Sequence, residues 1–224
     1  MATKEKTKAE VRQENAVEQL SRTEQFYEEN KKWIWGVIIA ILVIWLGALA
    51  YNRYIYQPKC AEAQEQCFPA EKSFAAEEWD LALNGDGNVL GFAQVIEEYG
   101  GKAGKAVYLY AGICELRLGN YEEAISYLSK YNGREPILKA RAIACQADAY
   151  VALENYSKAV SLYKKAVALS DNDLVAPILF KEGMAEKALG NKAAALKCFE
   201  SIKADHPQSI EAYDIDRYIA EVSE

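Results

Sequence analysis

The chain is poor in the side chains from which most enzyme sites are built. Among 224 residues there is one histidine, and no His-Glu-x-x-His, Gly-x-Ser-x-Gly or Cys-x-x-Cys stretch occurs. Zinc hydrolysis, serine-based acyl transfer and dithiol exchange therefore have no starting point. His206 lies in Asp205-His206-Pro207, a turn sequence in which a solvated histidine is expected. Gly104-Lys105 has the ending of a phosphate loop, but Tyr99 stands at the required upstream glycine and Ala106 at the required hydroxyl. The oxygen-bearing run Asn84-Gly85-Asp86-Gly87-Asn88 opens like a calcium loop, yet Val89 and Val95 occupy its glycine and closing glutamate positions. The expectation is a protein that is not an enzyme, with no cofactor, no metal and no small-molecule substrate.

The five cysteines (Cys60, Cys67, Cys114, Cys145, Cys198) are odd in number. Cys60 and Cys67 would lie about 10 Å apart along a helix, too far for a bridge. All five are expected to be small apolar fillers between helices. Proline is scarce too, with five residues, while alanine-rich stretches are long, which favours helix.

Charge is unevenly placed. Residues 1–32 hold seven basic and seven acidic side chains, residues 33–51 hold none, and the whole net charge of −7 falls in residues 52–224. An acidic domain without a basic patch repels phosphate backbones, so nucleic acid is not an expected partner.

The uncharged run from Trp33 to Tyr51 is long enough, as a helix of about 28 Å, to cross a bilayer. Trp33 and Trp35 mark one end, Trp45 lies within it, and Tyr51, Tyr54 and Tyr56 mark the other, as in an interfacial aromatic belt. Seven Lys/Arg precede the run and only Arg53 and Lys59 follow closely. The positive-inside rule then predicts residues 1–32 in the cytoplasm, a transmembrane helix over 33–56, and the remainder on the far side. Gly36 and Gly47 are eleven apart, so no close-packing dimer motif supports self-association through this span.

Beyond the span, Leu118-Gly119-Asn120-Tyr121-Glu122-Glu123-Ala124 recurs as Leu153-Glu154-Asn155-Tyr156-Ser157-Lys158-Ala159 and as Leu189-Gly190-Asn191-Lys192-Ala193-Ala194-Ala195. A period of about 35 residues means stacked helical hairpins. The pattern predicts hairpins over about 105–138, 140–173 and 176–208. Ahead of them, residues 57–104 read as a linker helix and a degenerate first hairpin: a helix from about Cys60 to Leu83 kinked at Pro69, a turn at 84–88, and a helix from Val89 to Tyr99. A capping helix is predicted over 209–224, with Ser209 as N-cap. Residues 1–13 are expected to be irregular, and Pro58 is expected to end the membrane helix. The fold class is all-α: one N-terminal transmembrane helix followed by an α-solenoid.

Residues 105–208 resemble tandem tetratricopeptide repeats. Gly112, Ala147 and Gly183 are the small residues where paired helices cross. Ala124, Ala159 and Ala195 pack against the first helix, and Leu128, Tyr163 and Phe199 are the large residues one turn later. Pro136 and Pro207 close their repeats, while Asp171 stands near that place in the second. The resemblance implies a surface that binds proteins. With the span, the architecture resembles the YfgM-type ancillary subunits of the SecYEG translocon. That resemblance implies an inner-membrane protein with a periplasmic repeat domain, working beside the translocon and a membrane-anchored periplasmic chaperone. The alternative is a scaffold of another envelope complex, in outer-membrane assembly or cell division.

In such a stack the first helix of each hairpin lines the concave face. Its spacing nominates a peptide groove of Leu109, Ile113, Leu116 and Arg117, then Arg141, Ala144, Asp148 and Val151, then Phe180, Met184 and Lys187. Repeat proteins that grip the acidic tails of cytosolic chaperones use a Lys/Asn clamp. Leu109 with Ile113, and Ala144 with Asp148, stand in those places and disfavour such partners.

Overall fold

A computed structural model describes residues 8–170, 172 and 174–223, with side chains from residue 24 onward. Among the described residues the only regular structure is helix, joined by turns and short loops, without strands. It divides into two compact units, residues 1–57 and 58–224.

The first unit is dominated by α1, Lys8–Tyr51. It begins inside the segment expected to be irregular; residues 1–7 lie outside the described residues. The part from Trp33 onward is apolar on every face, so no side of it is specialised for packing. Trp33, Trp35, Trp45 and Tyr51 all stand exposed within the unit. Helical geometry is not ended by Pro58. Instead α1 gives way to a π-helical turn, Asn52–Tyr56, in which the Gln57 N–H donates to the Asn52 carbonyl. Pro58 then falls in α2 (Gln57–Ala75) directly after this π-helical turn, a register change of the kind that accommodates a proline within a continuing helix.

The second unit opens with α2, α3 (Trp79–Asn84) and α4 (Phe92–Tyr99), followed by a 3₁₀ turn, Gly100–Ala103. The single helix expected over 60–83 is in fact two, and the break is not at Pro69. Pro69 sits inside α2, costing one bond to the carbonyl of exposed Glu65. The chain breaks at 76–78, with Glu77 in the left-handed region at φ 60°. Burial explains the choice. The break brings the Phe74 and Trp79 rings edge to face at 5.3 Å, and Phe74 also packs on Phe92 and Tyr110. Cys67, Ala70, Leu83, Phe92 and Val95 close this core. Asp86 accepts the backbone N–H groups of Asn88 and Val89 at 2.9 Å each, so its oxygens fasten the loop.

Three helical hairpins follow: α5 (Ala106–Leu118) with α6 (Tyr121–Lys130), α7 (Pro136–Ala152) with α8 (Tyr156–Val167), and α9 (Val175–Ala188) with α10 (Lys192–Asp205). Each turn has the same hydrogen bonding. The asparagine N–H reaches back five residues, Asn120 to Glu115, Asn155 to Tyr150 and Asn191 to Glu186, at 2.8–2.9 Å. The residue before it bonds three back and takes a positive φ, 85° at Gly119, 57° at Glu154 and 79° at Gly190. This is the Schellman stop, for which glycine carries no Cβ penalty.

Helix crossings are equally regular. Ala124, Ala159 and Ala195 are fully buried, as are Leu128, Tyr163 and Phe199 apart from a trace. A Cβ on Gly112 would lie 2.5 Å from Leu128 Cγ, and one on Gly183 would lie 2.5 Å from the Phe199 ring. The small residues therefore set how closely the axes approach. Burying each large partner stabilises its hairpin by about 1.5–3 kcal/mol.

The capping helix, α11, is shorter than expected: Ile215–Ser223. Residues 209–214 form a turn, in which Ser209 Oγ accepts the Ala212 N–H at 3.2 Å. Ser209 thus caps a turn rather than the helix. Ile215, Tyr218, Ile219 and Val222 share one face and pack on Phe199 and Ile202. Ile210 and Tyr213 have no such core to enter and are 90% and 91% exposed. Asp171 lies outside the described residues.

Candidate functional site

The first helices of all three hairpins wall one cleft of about 430 Å³. From α5 come Ile113, Leu116 and Arg117; from α7, Arg141, Ala144, Cys145 and Asp148; from the start of α9, Pro177, Ile178 and Lys181, preceded by Leu174. The side chains converge because each first helix repeats a lining residue at one-turn spacing, as in 141, 144, 145 and 148. A second cleft of about 440 Å³ shares Asp148 and Lys181 and adds Val151, Tyr156, Phe180 and Met184. The two meet at Asp148. One of its oxygens accepts the Tyr163 hydroxyl at 2.6 Å and the other the Lys181 ammonium at 2.7 Å. Burial, with Asp148 beside it, raises the Tyr163 pKa and holds the phenol neutral as a donor.

Electrostatically, the first cleft runs against the rest of the protein. Arg117, Arg141 and Lys181 face Asp148 alone, a lining of +2 within a chain of −7. The Arg117 guanidinium lies 5.7 Å from the Trp79 ring centre, held by a cation–π contact. Neither arginine has a carboxylate partner among the described residues. The floor, formed by Ile113, Leu116, Ala144 and Ile178, is apolar.

The nominated groove residues separate into three groups. Ile113, Leu116, Arg117, Arg141 and Asp148 gather in the first cleft, and Val151, Phe180 and Met184 in the second. Leu109 does not face either cleft. It is 1% exposed and packs with Leu128, Tyr131 and Ala142, because α7 closes over that turn of α5. Lys187 is occupied by the Glu221 carboxylate on α11, and the Tyr218 ring stands edge-on to Phe180 at 4.8 Å. The capping helix thus covers the end of the groove. Lys181, Pro177 and Cys145 are lining residues that the sequence reading passed over. Their signal is the one-turn spacing, 174, 177, 178 and 181 for the first two and 141, 144, 145 and 148 for Cys145.

Across α9, on the side facing α8 and α10, lies a different environment. Glu186 is 3% exposed yet accepts from Lys164 and from the Asn191 side chain, each at 2.8 Å. Burial alone pushes its pKa up, but these two donors outweigh burial and lower it. Glu182, one turn earlier and 5% exposed, accepts the Cys198 thiol at 3.5 Å and, among the described residues, no nitrogen donor. Burial raises its pKa. All five cysteines are free. Burial pushes the Cys67 and Cys145 thiols up to about 11 and the Cys114 and Cys198 thiols to about 12, so these four are poor nucleophiles at neutral pH.

Comparison with known proteins agrees with this geometry. Residues 106–136 and 178–209 match one tetratricopeptide repeat model, and residues 140–173 match another. No curated protein matches the sequence. The crystal structure of MamA protein aligns with a TM-score of 0.53, over 73% of this chain and 87% of that one, at 20% identity. At that identity the likeness bears on fold alone. Residues 106–209 therefore carry three tetratricopeptide repeats, and the domain they form is a scaffold for protein–protein interaction.

Proposed function

We propose that the protein is a non-catalytic, single-span scaffold of the bacterial inner membrane, with residues 1–32 cytoplasmic and the repeat domain periplasmic. Its groove binds proteins during or after Sec-dependent export, beside the translocon and a membrane-anchored periplasmic chaperone. One observation carries the reading: a helix long and apolar enough to cross a membrane shares a chain with a cleft walled by all three first helices. Tethering raises effective concentration near a membrane partner without new contacts. The excess of basic residues before the span supports the orientation, and the architectural resemblance to YfgM-type proteins supports the system.

Co-purification from detergent tests the assignment. Translocon subunits and periplasmic chaperones are the expected companions; their absence, with a different envelope complex in their place, overturns it. Protease treatment of spheroplasts tests the orientation separately. Degradation of the repeat domain is expected, and protection contradicts the periplasmic placement.

A further inference from the structure

The turn between α10 and α11 exposes two large apolar side chains almost completely. Ile210 and Tyr213 are 90% and 91% exposed. They are three residues apart in a turn closed by the Tyr213 N–H to the Ile210 carbonyl at 3.2 Å and by two bonds from the Ala212 N–H to Ser209. The pair is thus presented on a fixed backbone, which lowers the ordering cost of docking it. Ala212 and Ile215 anchor the turn in the terminal core, so it is not a loose tail. Beside the pair stand Glu211 and Asp214, neither with a cationic partner among the described residues. Residues 206–216 contain three acids and no Lys or Arg.

The first cleft is the complement of this turn. It offers an apolar floor of Ile113, Leu116 and Ile178, flanked by Arg117 and Arg141 without carboxylate partners among the described residues. Apolar meets apolar, and two acids meet two bases, in a domain that is otherwise acidic. The turn does not occupy its own cleft, as its exposure shows, so the match is available only between copies.

We propose that the acidic, apolar turn of one copy, Ile210-Glu211-Ala212-Tyr213-Asp214, docks into the basic cleft of a second copy. The interface is heterologous, a turn on one copy against a cleft on the next, and leaves each copy with one free turn or one free cleft. It goes beyond the scaffold reading and does not depend on it. A cleft engaged by a second copy is closed to other partners, so self-association sets how much groove is open.

The test uses the full chain in detergent, with mass measured by light scattering across a concentration series. The wild type is expected to associate as concentration rises. Replacing Ile210 and Tyr213 together by serine is expected to weaken association by about tenfold or more, with helicity and thermal midpoint unchanged. Two further variants keep the outcome decisive: one carries Arg117→Glu and Arg141→Glu, the other Glu211→Lys and Asp214→Lys. Each alone is expected to remain monomeric, because its turn and cleft then carry like charge. An equimolar mixture is expected to associate, the acidic turn of the first variant meeting the basic cleft of the second and the basic turn of the second meeting the acidic cleft of the first. A monomeric wild type overturns the proposal. So does association that none of these changes alters, which would place it in the membrane helix, or a mixture that fails to associate. Partner capture is not the readout, so failure here leaves the scaffold reading standing.

Discussion

The first and third hairpins reach their geometry by glycine, and the second reaches the same geometry without it. Gly112 and Gly183 sit at the crossings, and Gly119 and Gly190 in the turns; the second hairpin has Ala147 and Glu154 there. The hydrogen bonds of all three turns are alike to within about a tenth of an ångström at the long-range bond. The backbone plan is therefore imposed by stacking, and local residues adapt to it at different cost. The second hairpin carries Glu154 in a left-handed conformation that disfavours any Cβ. It also has compensations the others lack: the Tyr163 to Asp148 hydrogen bond across the crossing and the Asn155 cap on Lys158 N–H.

That comparison predicts a ranking in denaturant melts of the detergent-solubilised chain. The largest effect belongs to the glycine crossings. Gly183→Val forces a branched side chain into the Phe199 ring and is expected to cost about 3 kcal/mol, whereas Ala147→Gly costs about 1 kcal/mol through helix propensity. If both changes cost the same, the crossings are not the tight points described. Next comes Tyr163→Phe, which deletes a buried bond to a carboxylate and is expected to lose about 2 kcal/mol. A loss below the noise would mean that Lys181 alone satisfies Asp148.

The turns rank third, and in opposite directions. Glu154→Gly relieves a left-handed Cβ and is expected to gain about 1 kcal/mol, while Gly190→Ala is expected to lose about the same. Destabilisation by Glu154→Gly would show that its side chain contributes more than its backbone costs.

The smallest effect is a contrast in pH dependence between two glutamates on one helix. Glu182, with its pKa raised by burial, is destabilising when ionised. The penalty is full above its folded pKa and is relieved as pH falls through it. Glu182→Gln should therefore be more stable than wild type at pH 7, with the gain vanishing below about pH 4.5. Glu186, with its pKa lowered by Lys164 and Asn191 against the cost of burial, contributes stability above the ordinary value of 4.5 that is lost as pH falls through the lowered one. Glu186→Gln should be less stable than wild type at pH 7 and should converge with it in acid. Melts at a series of pH values read both signs.

Much of this was legible in the sequence because it is steric and periodic. Small residues recurring every 35 residues, each followed by an alanine and a bulky partner, leave few arrangements other than stacked hairpins. The uncharged span is legible for the same reason: nineteen residues without a charge need an apolar surround. Two features were not legible. The chain breaks at 76–78 rather than at Pro69, because the gain lies in assembling Phe74, Trp79, Phe92 and Tyr110, which are far apart in sequence. The last helix starts at Ile215 rather than at 209, because Ile210 and Tyr213, though helically spaced, find nothing to pack against. In the site, the register of the first helices marked most of the cleft. It could not show that α7 covers Leu109 or that α11 takes Lys187.

The proposed function puts protein binding on the first-helix face of the repeats and not on the opposite one. Site-specific photo-crosslinking in cells separates the two faces, with the probe placed at Leu116 or Met184 in the clefts and at the exposed Lys165 of α8 as control. Protein adducts are expected from Leu116 and Met184, diminishing when Arg117 and Arg141 are reversed in charge, and none from Lys165. Adducts from Lys165 alone, with none from the cleft positions, would contradict it.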